Sequence, residues 1–204
     1  MGRDWQPLRE QDVDTDPLRQ FATWYREACD SGLQMPEAAA LATASGDGAP
    51  SARMVLVKDF DELGFVFYSN YESRKGTELT ANPRAALLFH WEALGRQVRV
   101  EGAVKRLSAE DSAAYVRSRP RGSQLSALAS PQSQTLESRS ALEQHVAALE
   151  ESYRARQLPL PTNWGGFRLA PERVELWQQR RDRLHDRLLY LRDGNGWKIE
   201  RLAP

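Results

Sequence analysis

The sequence predicts an antiparallel β-barrel with helices at its periphery. Between residue 38 and about residue 107, short apolar stretches follow one another and are separated by tight-turn sequences such as SGDGAP and DELG. One predicted helix, over residues 73–81, interrupts this run, whereas parallel βαβ units need a crossover helix between each pair of strands. Strand-like stretches return from residue 164 to the C-terminus. Short strands in hairpin succession are typical of a barrel.

Nine stretches have the composition of strands. They are AALATAS, SARMVLVKDF, GFVFYSN, AALLFHWEA and QVRVEGAVKRL in the first run, and WGGFRLAP, RVELWQQR, RLHDRLLYLR and GWKIERLAP in the second. Three helices are predicted between the runs: SAEDSAAYVRSR, a weaker GSQLSALAS, and an amphipathic helix over residues 138–154. We expect a single domain over residues 16–204 and a flexible N-terminal arm over residues 1–15.

The first helix is predicted over residues 17–31. Asp16 is its N-cap, Pro17 takes the first helical position, and Gly32 follows its end. Apolar side chains from Leu18 to Cys29 recur at helical spacing and form one stripe. The stripe predicts that Cys29 lies in the core and is not a nucleophile, because no neighbouring residue supplies an electropositive setting.

Composition excludes several classes of function. Lys plus Arg and Asp plus Glu number 28 each among 204 residues, so no basic excess favours a nucleic-acid partner. No stretch approaches 18 consecutive apolar residues, and no membrane partner is expected. A single cysteine and an N-terminus without a signal-peptide pattern favour a cytoplasmic location. The three histidines lack metal-ligand spacing, so we expect no metal site.

The motif RLHDR near the C-terminus alternates in the manner of a strand. With a side-chain period of two, Arg183, His185 and Arg187 point to one face, and Leu184 and Asp186 point to the other. Three nitrogen-rich side chains on one face favour an anionic ligand, and a solvated basic sheet edge is the alternative.

A second polar cluster lies in the sequence SAAYVRSRPRGSQ. Tyr115 and Arg119 are four residues apart and so share a helix face. Pro120 breaks that helix, and Ser123 is predicted to cap the next one. A phenol, a guanidinium and a capped helix N-terminus together suit a phosphate, whereas a turn with exposed arginines is the alternative.

Two further basic stretches precede this cluster. In RMVLVK, Arg53 and Lys58 fall on opposite faces of a strand, so both contact one ligand only if the strand ends, bulges or twists between them. The sequence SRKG at residues 73–76 opens a short helix and offers two cations and a helix N-terminus to an anion.

Taken together, these motifs closely resemble the pyridoxamine 5′-phosphate oxidase family. The resemblance covers about residues 16–204 and rests on RMVLVK, FYSN, SRKG, RQV, SRPRGSQ, PQSQ, NWGGFR, RLHDR and WKIERLAP in this order and spacing. It implies a homodimer of FMN-binding split barrels. It also implies oxidation of pyridoxamine 5′-phosphate or pyridoxine 5′-phosphate to pyridoxal 5′-phosphate, with electrons passing through FMN to dioxygen and hydrogen peroxide released.

The resemblance further implies roles for individual residues. It assigns FMN contacts, some of them from the partner subunit, to Arg53, Met54, Val55, Leu56, Lys58, Tyr68, Ser69, Arg74, Lys75, Gln97, Gln132, Ser133, Trp177 and Arg187. It assigns the substrate phosphate to Lys58, Tyr115, Arg119 and Ser123. Arg183 and His185 are the expected catalytic residues, because they are expected to hold the substrate ring against the flavin with the 4′ carbon facing N5.

The chain departs from the family pattern in two places. Its N-terminus, MGRDWQPLREQDVDT, lacks the basic, tyrosine-containing segment that can cover the active site in family members. Gln179 and Arg180 stand where the family tends to have glycine, so the turn before RLHDR is expected to differ in shape.

Two alternatives share the fold. A phenazine-pathway flavin oxidase is expected to lack the substrate-phosphate residues, and a non-catalytic flavin- or haem-binding barrel is expected to keep SRKG and lose RLHDR. Packing or surface positions, without a function, are expected for Trp24, Trp91, Trp164, Trp197, His90 and His145.

Overall fold

The computed structural model describes residues 5–204, and in that part of the chain eight strands form one antiparallel sheet. The strands are β1 (Ala38–Ala44), β2 (Pro50–Asp61), β3 (Gly64–Asn70), β4 (Arg84–Trp91), β5 (Arg96–Arg106), β6 (Trp164–Gln178), β7 (Asp186–Asp193) and β8 (Gly196–Arg201). Their order is β3-β2-β1-β4-β5-β6-β7-β8, and pairing of β3 with β6 closes the first six into a barrel. The predicted barrel is confirmed.

Five α-helices surround the barrel in the described residues. They are α1 (Pro17–Asp30), α2 (Arg74–Ala81), α3 (Ala109–Ser118), α4 (Arg121–Ala129) and α5 (Arg139–Ser152). The Asp16 side chain accepts a hydrogen bond from the Leu18 N–H at 2.9 Å, which confirms the predicted N-cap of α1. Within residues 5–204, no helix combines the length and apolarity that crossing a bilayer requires.

The core lies inside the barrel, and α1 covers one of its ends. Phe21 of α1 is fully buried, and its ring centroid lies 4.8–4.9 Å from those of Phe60, Phe65 and Phe89. Burial of one such ring contributes roughly 1.5–3 kcal/mol to stability. Contact between α1 and the barrel wall therefore fixes the start of the domain against the strands.

The prediction that Cys29 lies in the core is wrong, because Cys29 is exposed. The buried stripe of α1 runs through Phe21, Trp24 and Ala28. Each helical residue is rotated by about 100° from the one before it, so the position after Ala28 turns toward solvent.

Two predicted strands, WGGFRLAP and RVELWQQR, are one continuous strand, β6. The pairing of β5 with β6 shifts register between Glu101 and Gly102, and Pro171 lies opposite Gly102 at this shift. A bulge lets the long strand bend around the barrel without ending.

The prediction that RLHDR forms one face of a strand is also wrong. β7 begins only at Asp186, and Arg181–Arg183 forms a single 3-10 turn. Asp182 and Arg183 have φ values of 56° and 62°, in the left-handed region. Of the three alternating side chains, only that of Arg187 belongs to the strand.

The predicted flexible arm spans residues 1–15, and its residues 1–4 lie outside the described residues. In the described part, Leu8 is buried and the Tyr190 hydroxyl donates to the Asp14 carbonyl at 2.8 Å. The division into an arm and a single domain stays a prediction.

Candidate active site

A cavity of about 200 Å³ lies where β2, β3, α2 and α3 meet. Its lining residues are Met54, Val55, Leu56, Lys58, Tyr68, Ser69, Lys75, Tyr115, Arg119, Gln132 and Trp164. Ten of these eleven are predicted cofactor or substrate residues, and Trp164 is the exception. A neighbouring cavity of about 210 Å³ shares Tyr68, Ser69, Arg119, Gln132 and Trp164 with it. The folded chain thus brings residues from positions 54 to 164 to one place.

β2 supplies one wall of the cavity. Met54, Leu56 and Lys58 alternate along its outer face. The pairing of β2 with β3 shifts register between Val57 and Asp59, so Lys58 lies at an irregularity of the ladder. An end, bulge or twist of the strand between Arg53 and Lys58 is the condition for both to contact one ligand; the observed shift lies at Lys58 itself, and Arg53 is not among the lining residues.

Lys75 is the buried cation of the site. It is the second residue of α2, whose N-cap Ser73 accepts a hydrogen bond from the Gly76 N–H at 3.4 Å. The Lys75 Nζ donates to Ser69 Oγ at 3.0 Å and to Gln132 Oε1 at 2.8 Å. Burial, assisted by the charge of Arg53 and opposed by that of Glu78, lowers the pKa of Lys75 to about 8. Within the described residues the ammonium is bonded to neutral oxygens of Ser69, Ser73 and Gln132 and not to a carboxylate, so it suits an incoming anion.

Glu78, one turn further along α2, holds two of the predicted FMN residues. Its carboxylate accepts hydrogen bonds from Arg74 Nε at 2.9 Å and from Arg53 Nη2 at 3.3 Å. The hydroxyls of Ser51 and Thr43 donate to the same carboxylate at 2.6 Å and 2.5 Å. Burial raises the pKa of Glu78, but these four hydrogen bonds outweigh it and the pKa is lowered to about 2. Arg53 and Arg74 are not among the residues that line the cavity.

Stacked aromatic rings form the opposite wall. The Tyr68 and Tyr115 ring centroids are 3.6 Å apart, and both rings are nearly parallel to that of Trp164 at 5.9 and 6.1 Å. Burial raises the pKa of both tyrosines. Gly166 is paired with Tyr68, and a Cβ there would come within 3.0 Å of the Tyr68 ring, so the glycine leaves room for the stack.

Arg119 completes this wall. Its guanidinium lies 4.5 Å from the Trp164 ring centroid, and its Nη1 atom is buried without a hydrogen-bond partner among the described residues. Burial lowers the pKa of Arg119, although the neighbouring Tyr115 opposes that shift. Arg119 itself has an extended backbone, as expected for a residue before Pro120.

Ser123 does not have the predicted role of a helix cap. Pro120 is the N-cap of α4, and Ser123 lies in its first turn, where its N–H donates to the Pro120 carbonyl at 2.9 Å. Proline is pre-organised for a helix start, so α4 begins three residues earlier than predicted. Ser123 is not among the lining residues, and Ser133, at φ 73°, is also outside that set.

A second group of predicted residues lies apart from this cavity. Gln97, Trp177 and Arg187 are neighbours across β5, β6 and β7. The His185 ring lies 4.5 Å from that of Trp177, and Arg183 lies in the turn before it. None of these five lines the cavity that contains Lys75.

Trp164 lines the cavity, although the sequence indicates only a packing or surface position for it. The Trp-Gly-Gly sequence is visible in the chain, but the face of β6 that contacts Tyr68 depends on the β3–β6 pairing that closes the barrel. No local pattern specifies that pairing. A larger cavity of about 420 Å³ lies beside Trp164 and α3, but its lining is mostly apolar and includes neither Lys75 nor Arg119.

The donor set fits a phosphorylated ligand. Lys75, Arg119, Lys58, Tyr115 and Ser69 place ammonium, guanidinium and hydroxyl groups around one small cavity. Arg119 Nη1, which has no hydrogen-bond partner among the described residues, is a donor that such an anion satisfies. The Lys75 ammonium, whose partners Ser69, Ser73 and Gln132 are neutral, adds a positive charge beside it.

The fold defines the class of protein, a split β-barrel. A solved structure from Nostoc punctiforme PCC 73102, described as a pyridoxamine 5′-phosphate oxidase-related, FMN binding protein, shares this fold with a TM-score of 0.71 at 20% identity, covering 93% of this chain and 98% of that one. PhzG from Burkholderia lata 383, solved in complex with tetrahydrophenazine-1-carboxylic acid, has a TM-score of 0.92 at 34% identity, covering 99% of this chain and 100% of its own.

The family follows from the sequence comparisons. Residues 25–153 match the family model described as pyridoxamine 5′-phosphate oxidase, and residues 164–204 match the pyridoxine 5′-phosphate oxidase C-terminal dimerisation region. A pyridoxine/pyridoxamine 5′-phosphate oxidase of Rubrobacter xylanophilus is 57% identical over 197 residues, which are 97% of this chain and 91% of the relative. This chain belongs to the pyridoxamine 5′-phosphate oxidase family.

Proposed function

We propose that this chain is an FMN-dependent oxidase that converts pyridoxamine 5′-phosphate and pyridoxine 5′-phosphate to pyridoxal 5′-phosphate. The observation that carries the proposal is the cavity lining, in which ten of eleven residues are those that the family resemblance assigns to cofactor or substrate. The chemistry that FMN supplies when bound is acceptance of a hydride from the 4′ carbon at N5 and transfer of the electrons to dioxygen, which gives hydrogen peroxide. With the amine substrate, water then adds to the oxidised 4′ carbon and ammonia leaves; with the alcohol substrate, loss of the hydroxyl proton gives the aldehyde directly.

Two anion sites are part of the proposal. Lys75 and Ser69, supported by Arg74 at the start of α2, hold the FMN phosphate. Arg119, Tyr115 and Lys58 hold the substrate phosphate. Ser123 remains in this proposed set because it lies in the first turn of α4, one turn from Arg119.

Arg183 and His185 are proposed to orient the substrate ring. His185 Nδ1 accepts a hydrogen bond from the Arg180 backbone N–H at 3.1 Å, so the imidazole proton of the neutral ring is on Nε2. This leaves Nε2–H as a donor toward a ligand. Arg183 supplies a fixed positive charge at the same turn.

A homodimer is proposed because the two groups of site residues lie apart in one chain. Ala40 pairs with both Met54 and Leu88, so these three apolar side chains form a stripe across three strands. Met54 is 64% exposed, and Leu56 and Leu88 are 39% and 37% exposed. A second copy that covers this stripe supplies its own Trp177 and Arg187 to the cavity. The match of residues 164–204 to a dimerisation region supports this arrangement.

The two alternatives are less well supported. A phenazine-type substrate has no phosphate to occupy the Arg119 and Tyr115 donors, although the likeness to PhzG extends over the whole fold. A non-catalytic barrel does not need the turn that carries Arg183 and His185, because it has no substrate ring to orient. A cytoplasmic location is also part of the proposal, since one exposed free cysteine is typical of proteins in a reducing compartment.

The proposal is tested by turnover of the FMN-reconstituted protein in air. We expect pyridoxamine 5′-phosphate to give equal amounts of pyridoxal 5′-phosphate and hydrogen peroxide, and unphosphorylated pyridoxamine to react far more slowly. FMN-loaded protein that forms neither product from the phosphorylated substrate would contradict the proposal.

A further inference from the structure

Asp186, a polar residue of RLHDR to which the proposed function gives no role, joins three separate parts of the chain. Its Oδ2 accepts a hydrogen bond from the Leu8 N–H at 3.1 Å and lies 3.5 Å from Arg180 Nε. Its Oδ1 accepts from Arg201 Nη1 at 2.9 Å. One carboxylate therefore connects the N-terminal segment, the turn before β7, and the last strand.

The N-terminal segment is bound by the same residues. Arg201 Nη2 donates to the Leu8 carbonyl at 2.9 Å, and the Arg201 guanidinium contacts both carboxylate oxygens of Glu10 at 2.8 and 2.9 Å. The Arg180 guanidinium donates to the Trp5 carbonyl. Leu8 is buried, so the segment over residues 5–10 is anchored by an apolar side chain as well as by charges.

The turn that carries Arg183 and His185 needs such support. Asp182 and Arg183 both have left-handed backbone conformations, which residues other than glycine adopt at a cost in conformational free energy. The turn has one internal hydrogen bond to the imidazole, from the Arg180 N–H to His185 Nδ1. The Arg180 side chain then extends from the turn to Asp186 and Trp5.

We propose that Asp186 is a positioning residue that fixes the turn of residues 180–185 against the N-terminal segment of residues 5–10. It acts together with Arg180, whose side chain contacts both Asp186 and Trp5. The consequence for catalysis rests on the proposed function, because it assumes that Arg183 and His185 contact the substrate. The consequence for the N-terminal segment does not depend on the proposed function.

The test compares Asp186→Asn with Glu172→Gln in the full-length FMN-loaded protein. The asparagine keeps the shape of the side chain but removes its charge and one acceptor. Glu172→Gln is a matched control, because it also removes a carboxylate partner of an arginine, and that arginine, Arg84 of β4, belongs to neither the turn nor the N-terminal segment. Arg180→Met is the second variant, since it keeps the backbone N–H to His185 and removes only the guanidinium.

Two readouts separate this proposal from the proposed function. The first is the rate of trypsin cleavage after Arg9, which lies in the anchored segment and is exposed. We expect Asp186→Asn and Arg180→Met to raise this rate at least about tenfold relative to Glu172→Gln, since cleavage follows the population of the locally opened segment. This readout holds even if the protein has no activity toward pyridoxamine 5′-phosphate.

The second readout is kcat/KM for pyridoxamine 5′-phosphate. A small misplacement of orienting groups lowers it on the order of 10- to 100-fold, and we expect this in Asp186→Asn while the dissociation constant of FMN stays within about threefold. Arg9 cleavage in both variants at the rate of Glu172→Gln would overturn the proposal. Faster cleavage with unchanged kcat/KM in an active enzyme would overturn its catalytic part. An Asp186→Asn protein that does not fold leaves Arg180→Met to decide both readouts.

Discussion

Arg119 lies with its guanidinium 4.5 Å from the Trp164 ring centroid, and its Nη1 atom is buried without a hydrogen-bond partner in the described part of the chain. A buried donor left unpaired costs about 1–3 kcal/mol, and a phosphate oxygen removes that cost. Trp164 holds the guanidinium plane in place, and Tyr115 stacks parallel to Trp164 within the same wall. The arrangement is therefore pre-organised for an anion rather than for an apolar ligand.

Arg119→Met is expected to raise KM for pyridoxamine 5′-phosphate. A charge-assisted hydrogen bond contributes about 1.5–3 kcal/mol, so the expected loss in kcat/KM is roughly 10- to 150-fold. Steady-state kinetics with both phosphorylated and unphosphorylated substrate measures it. Arg117→Met, at an exposed position near the end of α3, is the control and is expected to match the wild type. An equal loss on both substrates would argue against a phosphate contact.

Lys75 gives the binding of FMN a pH dependence. Burial, with a smaller effect of Arg53 and against the effect of Glu78, lowers its pKa to about 8, so the free ammonium loses its proton as the pH rises through that value. A bound phosphate favours the charged form, so FMN binding takes up a proton above pH 8. We expect the association constant to be nearly constant below about pH 7.5 and to fall by up to about tenfold per pH unit above pH 8.

Fluorescence titration of the apoprotein with FMN between pH 7 and pH 9 checks this dependence. Lys75→Met is expected to bind FMN more weakly and to lose the decrease above pH 8, because the titrating group is gone. The same decrease in Lys75→Met as in the wild type would assign it to another group.

Glu175 is expected to hold Arg187 in place for FMN. Its buried carboxylate accepts hydrogen bonds from Arg187 Nε at 2.8 Å and from Arg99 Nη2 at 2.5 Å. Glu175→Gln should lower the free energy of unfolding by about 1–3 kcal/mol and weaken FMN binding, since one of the two arginines loses its acceptor. Denaturant unfolding and FMN titration measure the two effects.

The control for that variant is Glu172→Gln on the same strand. Glu172 forms an exposed ion pair with Arg84, and such pairs contribute only about 0–1 kcal/mol. Glu175→Gln and Glu172→Gln with equal FMN affinity would show that Glu175 has no part in positioning Arg187.

The apolar stripe across β1, β2 and β4 is expected to be the dimer contact. Leu88→Glu places a charge on this stripe, and a charge buried without a partner is costly, so the dimer should dissociate. Sedimentation velocity measures the shift toward monomer. We expect FMN affinity to fall together with dimerisation, because the Trp177 and Arg187 group then no longer reaches the cavity that contains Lys75. A Leu88→Glu dimer with wild-type affinity would contradict this arrangement.

Local chemistry made much of the site predictable from the sequence. The basic stretches RMVLVK and SRKG and the pair Tyr115 and Arg119 each carry their anion-binding character in a few adjacent residues, and Lys58, Lys75, Tyr115 and Arg119 do meet in one cavity. The barrel was also predictable from the sequence, because most neighbouring strands in the sheet are consecutive in the chain and form hairpins.

The errors arise where geometry depends on distant contacts. Alternation in RLHDR resembles a strand, but Asp182 and Arg183 adopt a left-handed turn that Arg180 and Asp186 hold from outside. The role of Trp164 depends on how β3 pairs with β6, which no local pattern encodes. Cys29 lies beside the apolar stripe of α1, but the rotation of about 100° from Ala28 to the next residue exposes its side chain to solvent.

The central claim is that the cavity orients a phosphorylated substrate for oxidation at its 4′ carbon. Anaerobic mixing of the FMN-loaded protein with pyridoxamine 5′-phosphate, followed by readmission of air, tests it most directly. We predict loss of the visible flavin absorbance band without oxygen, its recovery in air, and formation of pyridoxal 5′-phosphate, with Arg119→Met needing a far higher substrate concentration. A flavin band that persists in the presence of saturating pyridoxamine 5′-phosphate would contradict the account.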